Sequence, residues 1–329
     1  MRIIGLEEHF WTPEVADALR ALPPENGDND LLLHQPEFIS NALGDGLGEK
    51  RLRAMDLAGV DMMVLSLTSP GTQALPPEQA VPLARGANDY LAQAVKAHPD
   101  RLAGWATLPT PDPDAAAQEL ERAVGELGFV GACTHGRTGN DYLDHERFRP
   151  ILAKAAELNV PIYLHPQVPP KSVRQQYYDG FDPKVSTAFA TSGWGWHADV
   201  GVGALRLILA GVFDEFPNLQ FVVGHWGETI LFYLDRIASL SQAATHLKRP
   251  VDEYFRHHFY VGGAGIYSTP YLLRVIEVMG IDRVVSSSDY PYRYFPDGRA
   301  RSFIEEAPIS LEAKHKIAHE NAEKLLRLK

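Results

Sequence analysis

The chain has 329 residues, 45% of them hydrophobic, and a formal net charge of −11 from 31 basic and 42 acidic side chains. This length and apolar content suffice for a large buried core, while the negative charge argues against nucleic acid as a partner. No apolar run reaches the roughly 18 residues of a membrane-spanning helix, and no basic and apolar leader opens the chain, so we expect no membrane insertion and a cytoplasmic location.

Short β-branched runs alternate with helical patterns along the chain, which is typical of parallel βαβ units. The patterns predict eight strands, at 2–9, 60–67, 101–108, 129–134, 160–165, 219–225, 258–262 and 282–288. Helices are predicted at 77–98, 113–127, 148–158, 199–213 and 269–279, with a terminal helix at about 311–328. Eight strands close a TIM-type (β/α)8 barrel, so we predict one α/β barrel domain over residues 1–329.

Two stretches are longer than the loops of a minimal barrel. We interpret them as long loop insertions after the first and fifth strands, at about 23–48 and 166–196. The second carries the aromatic residues Tyr177, Tyr178, Phe181, Trp194 and Trp196. Loops of this length are usually functional or disordered. An aromatic-rich insertion over the carboxyl-terminal face of a barrel suits a lid over a flat ligand, and equally suits an oligomer interface.

The first strand ends in the polar motif Glu7-Glu8-His9. Because side chains alternate along a strand, Glu7 and His9 are expected to point to one side and Glu8 to the other. A carboxylate oxygen and an imidazole nitrogen at one strand end are half of a mixed metal shell. On its own, however, such a short motif is more often a strand running out into solvent.

Other strand ends carry similar chemistry: His165 follows strand five, His225 and Glu228 follow strand six, and Asp289 follows strand eight. A lone histidine after an apolar strand is more often a hydrogen-bonded structural residue than a ligand. In a barrel, however, the carboxyl ends of all strands meet at one face, where active sites lie. The recurrence of these residue types therefore indicates a metal site there. His135, after strand four, is a further candidate to line the pocket.

The sequence resembles the amidohydrolase-related, metal-dependent decarboxylases, which include gamma-resorcylate, 2,3-dihydroxybenzoate and 5-carboxyvanillate decarboxylases. The motifs that carry the resemblance are Leu6-Glu7-Glu8-His9-Phe10, Arg51-Leu52 with Met55-Asp56 and Gly59, Ala87-Asn88-Asp89, Gly128-Phe129-Val130-Gly131-Ala132, Tyr163-Leu164-His165-Pro166, Gly211 with Phe213-Asp214 and Pro217, Gly224-His225-Trp226-Gly227-Glu228, and Ser288-Asp289-Tyr290-Pro291. One departure concerns substrate choice, because His135-Gly136 stands where gamma-resorcylate-type members carry Asn-Gly.

The resemblance implies roles for individual residues. The implied metal ligands are Glu7, His9, His165 and Asp289; the implied catalytic residues are His225, Glu228 and Asp289; the expected substrate contacts are Arg236, His135, Phe10 and Tyr292. From sequence alone, Arg236 is also compatible with a helix-surface arginine that pairs with an acidic neighbour. We further expect a homodimer or homotetramer.

The implied reaction is non-oxidative decarboxylation of an ortho-hydroxy aromatic acid. Losing CO2 without a redox cofactor requires protonation of the ring carbon that bears the carboxylate, and an ortho hydroxyl makes that carbon electron-rich. One divalent ion per subunit, Zn²⁺ or Mn²⁺, would chelate the phenolate and carboxylate oxygens, and Asp289 would donate the proton. No glycine-rich phosphate loop follows strand one, so no nucleotide cofactor is implied.

Two alternatives stay open at this point. The same shell with a metal-bound hydroxide would hydrolyse a lactone or an amide. The first motif is Glu-x-His and not His-x-His, and no lysine stands at the end of strand four, which favours one ion over two in either case. The other alternative is a barrel that has lost catalysis and serves as a binding or assembly protein, and such a scaffold need not keep the ion.

Overall fold

The computed structural model describes residues 1–23 and 37–328. Its main sheet has eight parallel strands: β1 Ile4–Phe10, β2 Met62–Leu67, β3 Leu102–Thr107, β4 Gly131–His135, β5 Ile162–His165, β6 Phe221–Val223, β7 Phe259–Gly262 and β8 Val284–Val285. Each strand pairs with the next in chain order. All eight predicted strands are confirmed, most of them somewhat shorter than predicted.

Backbone hydrogen bonds beyond β8 close the sheet into a barrel. The amide of Leu6 donates to the carbonyl of Ser286 at 3.0 Å, and the amide of Asp289 donates to the carbonyl of Glu7 at 2.9 Å. Glu8 and Tyr290 form a parallel bridge. The predicted (β/α)8 barrel is therefore confirmed, and its seam lies beside the Glu7-Glu8-His9 motif.

Helices surround the barrel. They are α1 Pro13–Arg20, α2 Glu37–Gly44, α3 Glu49–Ala58, α4 Pro77–Ala97, α5 Pro113–Gly125, α6 Arg149–Leu158, α7 Lys171–Tyr177, α8 Pro183–Ala190, α9 Gly195–Leu209, α10 Val212–Glu215, α11 His225–Glu228, α12 Ile230–Ile237, α13 Val251–His258, α14 Thr269–Met279, α15 Arg299–Glu305, α16 Leu311–His315 and α17 Asn321–Leu326. Several start as sequence rules require: Asp112 caps α5 by accepting from the amide of Ala115, and α4 and α5 begin at proline.

The insertion after β5 differs from the predicted long loop, because it folds into α7 and α8 and leads into α9. Asp182 accepts a hydrogen bond from the amide of Lys184 and caps α8, which begins at Pro183. The predicted helix 199–213 begins earlier, at Gly195, and is interrupted at Gly211, whose φ of 73° is left-handed. In the other predicted insertion, 23–48, residues 24–36 lie outside the described residues, and part of the rest forms α2.

The predicted terminal helix is present, but its middle turn, Lys316–Glu320, is a π-helix between α16 and α17. Asn321 fixes this segment to the barrel by donating to the carbonyls of Ile281 and Val284, both at 2.8 Å. Among the residues that the structure describes, no helix combines the length and apolar character needed to cross a bilayer.

A β-bulge in β1 turns the side chains of Glu7 and His9 toward the barrel axis. Ile4 and Leu6 pack with Trp105 and Tyr163 in the interior cluster. The pairing with β2 then shifts register between Gly5 and Glu8. The extra residue lets Glu7 follow Leu6 on the inner side, where the Tyr163 hydroxyl donates to its Oε2. Glu7 and His9 consequently share one end of the barrel interior.

Glu8 points away from that end and fastens the seam. Its carboxylate is completely buried and accepts from the Ser288 amide at 2.8 Å, the Ser288 hydroxyl at 2.6 Å and the Tyr290 amide at 3.2 Å. Burial raises the pKa of Glu8 to about 7, even though these hydrogen bonds act in the opposite direction. The barrel thus closes on a side chain as well as on backbone pairing.

Replacing Glu8 with alanine would leave the buried amides of Ser288 and Tyr290 without this acceptor. We expect Glu8→Ala to lower the free energy of unfolding by at least about 2 kcal/mol in urea denaturation. The control is Glu277→Ala, because the Glu277 side chain is 69% exposed; its effect should stay within about 0.5 kcal/mol. Equal losses in the two variants would contradict the role of Glu8 in closure.

Candidate metal centre

The structure brings three of the four predicted metal ligands together. Glu7, His9 and His165 are buried, and their donor atoms all lie within 4.8 Å of one another. Glu7 Oε1 is 3.3 Å from His165 Nε2. Asp289, the fourth predicted ligand, borders the same cluster, with Oδ1 3.4 Å from His9 Nε2. We call Glu7, His9 and His165 the metal cluster.

In each member of the metal cluster, neighbouring groups hold the atom that faces away from it. Glu7 Oε2 accepts from the Tyr163 hydroxyl. His9 Nδ1 lies 3.2 Å from Ser66 Oγ, and His165 Nδ1 lies 2.7 Å from the carbonyl oxygen of Pro166. A proton on Nδ1 satisfies both contacts and leaves the lone pair of each histidine on Nε2, the nitrogen that faces the cluster.

Two of the atoms that face into the cluster lack hydrogen bonds. Glu7 Oε1 and His9 Nε2 are buried, and neither has a hydrogen-bond partner among the described residues. A buried polar atom left unpaired is costly, so each such atom needs an explanation. Two imidazole nitrogens and a carboxylate oxygen, with a second carboxylate beside them, are donors that a divalent transition ion accepts. The cluster therefore fits a metal ion.

A glycine makes room for this arrangement. A Cβ atom at Gly224 would lie 2.2 Å from Glu7 Oε2 and 3.0 Å from the Tyr163 hydroxyl. Any larger residue at this position would displace the carboxylate. The close approach explains why glycine stands between β6 and His225.

For Glu7 and His9, the electrostatics of the pocket favour the protonation states that metal binding requires. Burial acts to raise the pKa of Glu7, but the positive charge of His225 and the interaction with His165 bring it well below its usual range. Burial and the neighbouring His165 hold the pKa of His9 far below its ordinary value. Glu7 is thus ionised and His9 neutral, as in a metal ligand. Burial, followed by the charge of Glu7, raises the pKa of Asp289.

His225 and Glu228 form a pair beside the cluster, in a turn that follows β6. His225 Nδ1 is 2.8 Å from Glu228 Oε1, and His225 Nε2 is 3.7 Å from Glu7 Oε1. His225, Trp226 and Glu228 all have left-handed φ angles, of 47°, 58° and 53°. Such backbone is costly for residues other than glycine and is concentrated at functional sites. Although burial opposes it, the charges of Glu228 and Glu7 raise the pKa of His225 to about 10.

A second histidine on Glu228 was not found by the sequence analysis. His197, near the start of α9, places Nδ1 2.8 Å from Glu228 Oε2. Ser66 and Tyr163, which hold His9 and Glu7, were also missed. None of the three follows the end of a strand. Tyr163 stands two positions before His165 in the same strand and so on the same face, which is the signal that could have found it. Ser66 and His197 have no such local signal.

The predicted substrate contacts are placed in different ways. His135 is buried with Nδ1 3.2 Å from His165 Nδ1. The ring centroid of Tyr292 is 5.4 Å from that of His9, and its hydroxyl lies 2.6 Å from Thr68 Oγ1. Both residues therefore border the metal cluster.

The other two predicted contacts lie farther from this chemistry. Phe10 follows His9 in β1 and so points to the other face. There it packs in the core, and its ring centroid lies 6.2 Å from that of Tyr90. Arg236 is exposed near the end of α12, and its side chain makes no hydrogen bond or ion pair with a described residue. Substrate contact by Phe10 or Arg236 stays a prediction.

Comparisons of sequence and of structure both match this chain to proteins of one family. The profile of a family described as amidohydrolase matches residues 9–328. The chain is 35% identical to gamma-resorcylate decarboxylase of Rhodococcus jostii, over 99% of this chain and 98% of that protein. It is 34% identical, with a TM-score of 0.85, to dihydroxybenzoic acid decarboxylase of a Polaromonas species solved with manganese and 2-nitroresorcinol, which covers 99% of this chain and 97% of that one.

A further structural relative is 5-carboxyvanillate decarboxylase of Novosphingobium aromaticivorans, solved with manganese and 4-hydroxy-3-methoxy-5-nitrobenzoic acid. It is 33% identical with a TM-score of 0.90, over 99% of this chain and 96% of that one.

We expect the metal cluster to bind one divalent ion. After chelation and reloading with Mn²⁺, elemental analysis should give a ratio close to one ion per chain, and the double variant Glu7→Ala, His9→Ala should bind none. The matched control is His319→Ala, Glu320→Ala, which removes two members of a partly exposed His/Glu cluster near the carboxyl terminus and should leave the ratio unchanged. A ratio near two, or retention of the ion in the first double variant, would show the assignment to be wrong.

Proposed function

The chain belongs to the amidohydrolase family, and from this membership we propose that it releases CO₂ from an ortho-hydroxy aromatic carboxylic acid without oxidation. The predicted class, a metal-dependent aromatic acid decarboxylase, is confirmed by relatives that match nearly the whole chain. The observation that carries the proposal is the metal cluster with its two unpaired inward atoms, beside the His225–Glu228 pair.

The proposed ligands of the ion are Glu7, His9, His165 and Asp289. We propose Mn²⁺ as the first ion to test, because two related decarboxylases were solved with manganese, and Zn²⁺ as the alternative that the same donors accept. When bound, the ion would supply Lewis-acid stabilisation of the phenolate and carboxylate oxygens of the substrate. No nucleotide cofactor enters the proposal.

The proton that replaces CO₂ is assigned to Asp289. Its carboxyl group lies at the edge of the metal cluster, within reach of a ring held there. Transfer of its proton forms a bond to the ring carbon that bears the carboxylate. The bond between that carbon and the carboxylate then breaks, its electron pair restores the aromatic ring, and CO₂ leaves. The phenol keeps the transferred proton on carbon.

His225 is proposed to return the proton to Asp289. Glu228 accepts from His225 Nδ1 and thereby points Nε2 toward the cluster. An imidazole oriented in this way by a carboxylate is suited to repeated proton transfer. Tyr292 and His135, which border the cluster, are proposed to contact the flat ring of the substrate.

We also propose that the chain forms a homodimer or homotetramer. Large apolar side chains are exposed on α12 and in the α7–α9 region: Tyr177, Phe181, Trp194, Phe232 and Tyr233. Extended exposed apolar surface usually marks an interaction site. A lid function for the same insertion, a single domain over residues 1–329 and a cytoplasmic location stay predictions.

The reaction has a substrate requirement that can be measured. The ortho hydroxyl would serve both as a metal ligand and as the electron source for ring protonation. The Mn²⁺-loaded protein should therefore release CO₂ from some members of a panel of ortho-hydroxybenzoates and none from plain benzoate. In D₂O the phenolic product should carry deuterium at the ring position that the carboxylate left, as detected by mass spectrometry and NMR.

A hydrolase has no need of an ortho hydroxyl and labels no ring carbon. Efficient cleavage of lactones or amides, with no CO₂ from any member of the panel, would show the decarboxylase proposal to be wrong. The Glu7→Ala, His9→Ala variant, treated with Mn²⁺ in the same way, serves as the inactive control in both assays.

A further inference from the structure

Glu228 is completely buried, and an imidazole holds each of its two oxygens. His225 Nδ1 lies 2.8 Å from Oε1, and His197 Nδ1 lies 2.8 Å from Oε2. The two rings are close, with centroids 4.4 Å apart. Glu228 is therefore shared between a histidine that faces the metal cluster and one that does not.

His197 is itself fixed at both ends. Its Nε2 lies 3.1 Å from the carbonyl oxygen of Ser192, while Nδ1 binds Glu228. These contacts also distinguish His197, His225 and Glu228 from the metal cluster. The three residues lie close enough to hold an ion. However, Nδ1 of both rings and both carboxylate oxygens are already used in hydrogen bonds. We therefore interpret the trio as a hydrogen-bonded relay.

We propose that His197 is a positioning residue for the decarboxylation. By holding Oε2, it fixes the plane of the Glu228 carboxylate, and this orients Nε2 of His225 toward the metal cluster. Without His197, Oε2 would be a buried carboxylate oxygen with one partner fewer, and the carboxylate would be free to rotate. The kinetic consequence of the proposal rests on the proposed function; the geometric consequence does not.

The contact to Ser192 connects this relay to the insertion after β5. Ser192 lies in the turn between α8 and α9, where the carbonyl of Thr191 accepts from the amides of Trp194 and Trp196. Trp194 is exposed on this turn. The turn is tightly built, because a Cβ atom at Gly195 would lie 2.2 Å from the carbonyl oxygen of Ala190. The insertion thereby contributes to proton transfer through His197, in addition to any role as a cover.

Two substitutions at position 197 separate the two contacts. The amide of asparagine takes the place of Nδ1 and can still donate to Glu228, whereas the longer glutamine places its amide where Nε2 lies, near Ser192. With the Mn²⁺-loaded enzyme and an active member of the panel, His197→Gln should lower kcat by about tenfold or more, with KM and metal content near wild type. His197→Asn should stay within a fewfold of wild-type kcat.

A double variant tests whether His197 acts through Glu228. Glu228→Ala alone should lower kcat strongly, and adding His197→Gln should cause little further loss, because alanine offers His197 no acceptor. The matched control is His258→Gln: His258 is also a buried histidine, with Nδ1 2.9 Å from the carbonyl oxygen of Leu219, but it lies at the opposite end of the barrel. It should lower stability and leave kcat near wild type.

The second measurement needs no activity. In protein labelled with ¹⁵N-histidine and free of metal, the carboxylate-bound Nδ1–H of His225 should give a downfield NMR signal that His197→Gln shifts or broadens and that His197→Asn and His258→Gln leave in place. An unmoved His225 signal in His197→Gln, kcat within about twofold of wild type, or full additivity in the double variant would each overturn the proposal. If the wild type releases no CO₂, the proposed function fails, and the NMR comparison still decides the role of His197.

Discussion

The carboxyl end of this barrel depends on one constraint: atoms able to bind a metal are buried side by side and lack hydrogen-bond partners. Glu7 Oε1 and His9 Nε2 have no hydrogen-bond partner among the described residues. Their outer atoms are held by Tyr163 and Ser66. Each of these contacts orients a side chain so that its remaining atom can bind a cation. The β-bulge in β1 and the glycine at position 224 provide the backbone geometry for the same arrangement.

Much of the fold was predictable because its signals are local. Apolar strand runs, proline at helix starts and glycine at helix ends repeat often enough to identify eight βα units. The insertion after β5 has the sequence pattern of a loop, because α7 and α8 are short and α7 buries no side chain fully. Short helices without an apolar stripe give little periodicity to detect, and their stability comes from tertiary contacts.

The candidate site was predictable where residues follow strand ends, since barrel topology alone gathers them. It was not predictable where the partner comes from elsewhere. His197 reaches Glu228 from a helix 31 positions earlier in the chain, and Ser66 and Tyr163 look like ordinary strand residues. Arg236 shows the converse: a motif suggested substrate contact, yet its side chain is exposed on α12. Sequence patterns identify reactive groups more readily than the residues that orient them.

The metal site depends on one central assignment: Glu7, His9, His165 and Asp289 hold the ion, and His225 stays outside its coordination. Anomalous X-ray diffraction from crystals of the Mn²⁺-loaded protein tests this most directly, because it locates the ion independently of activity. We expect one strong anomalous peak within about 2.3 Å of Glu7 Oε1, His9 Nε2, His165 Nε2 and a carboxylate oxygen of Asp289. A peak among His197, His225 and Glu228, or one that makes His225 a ligand, would contradict it.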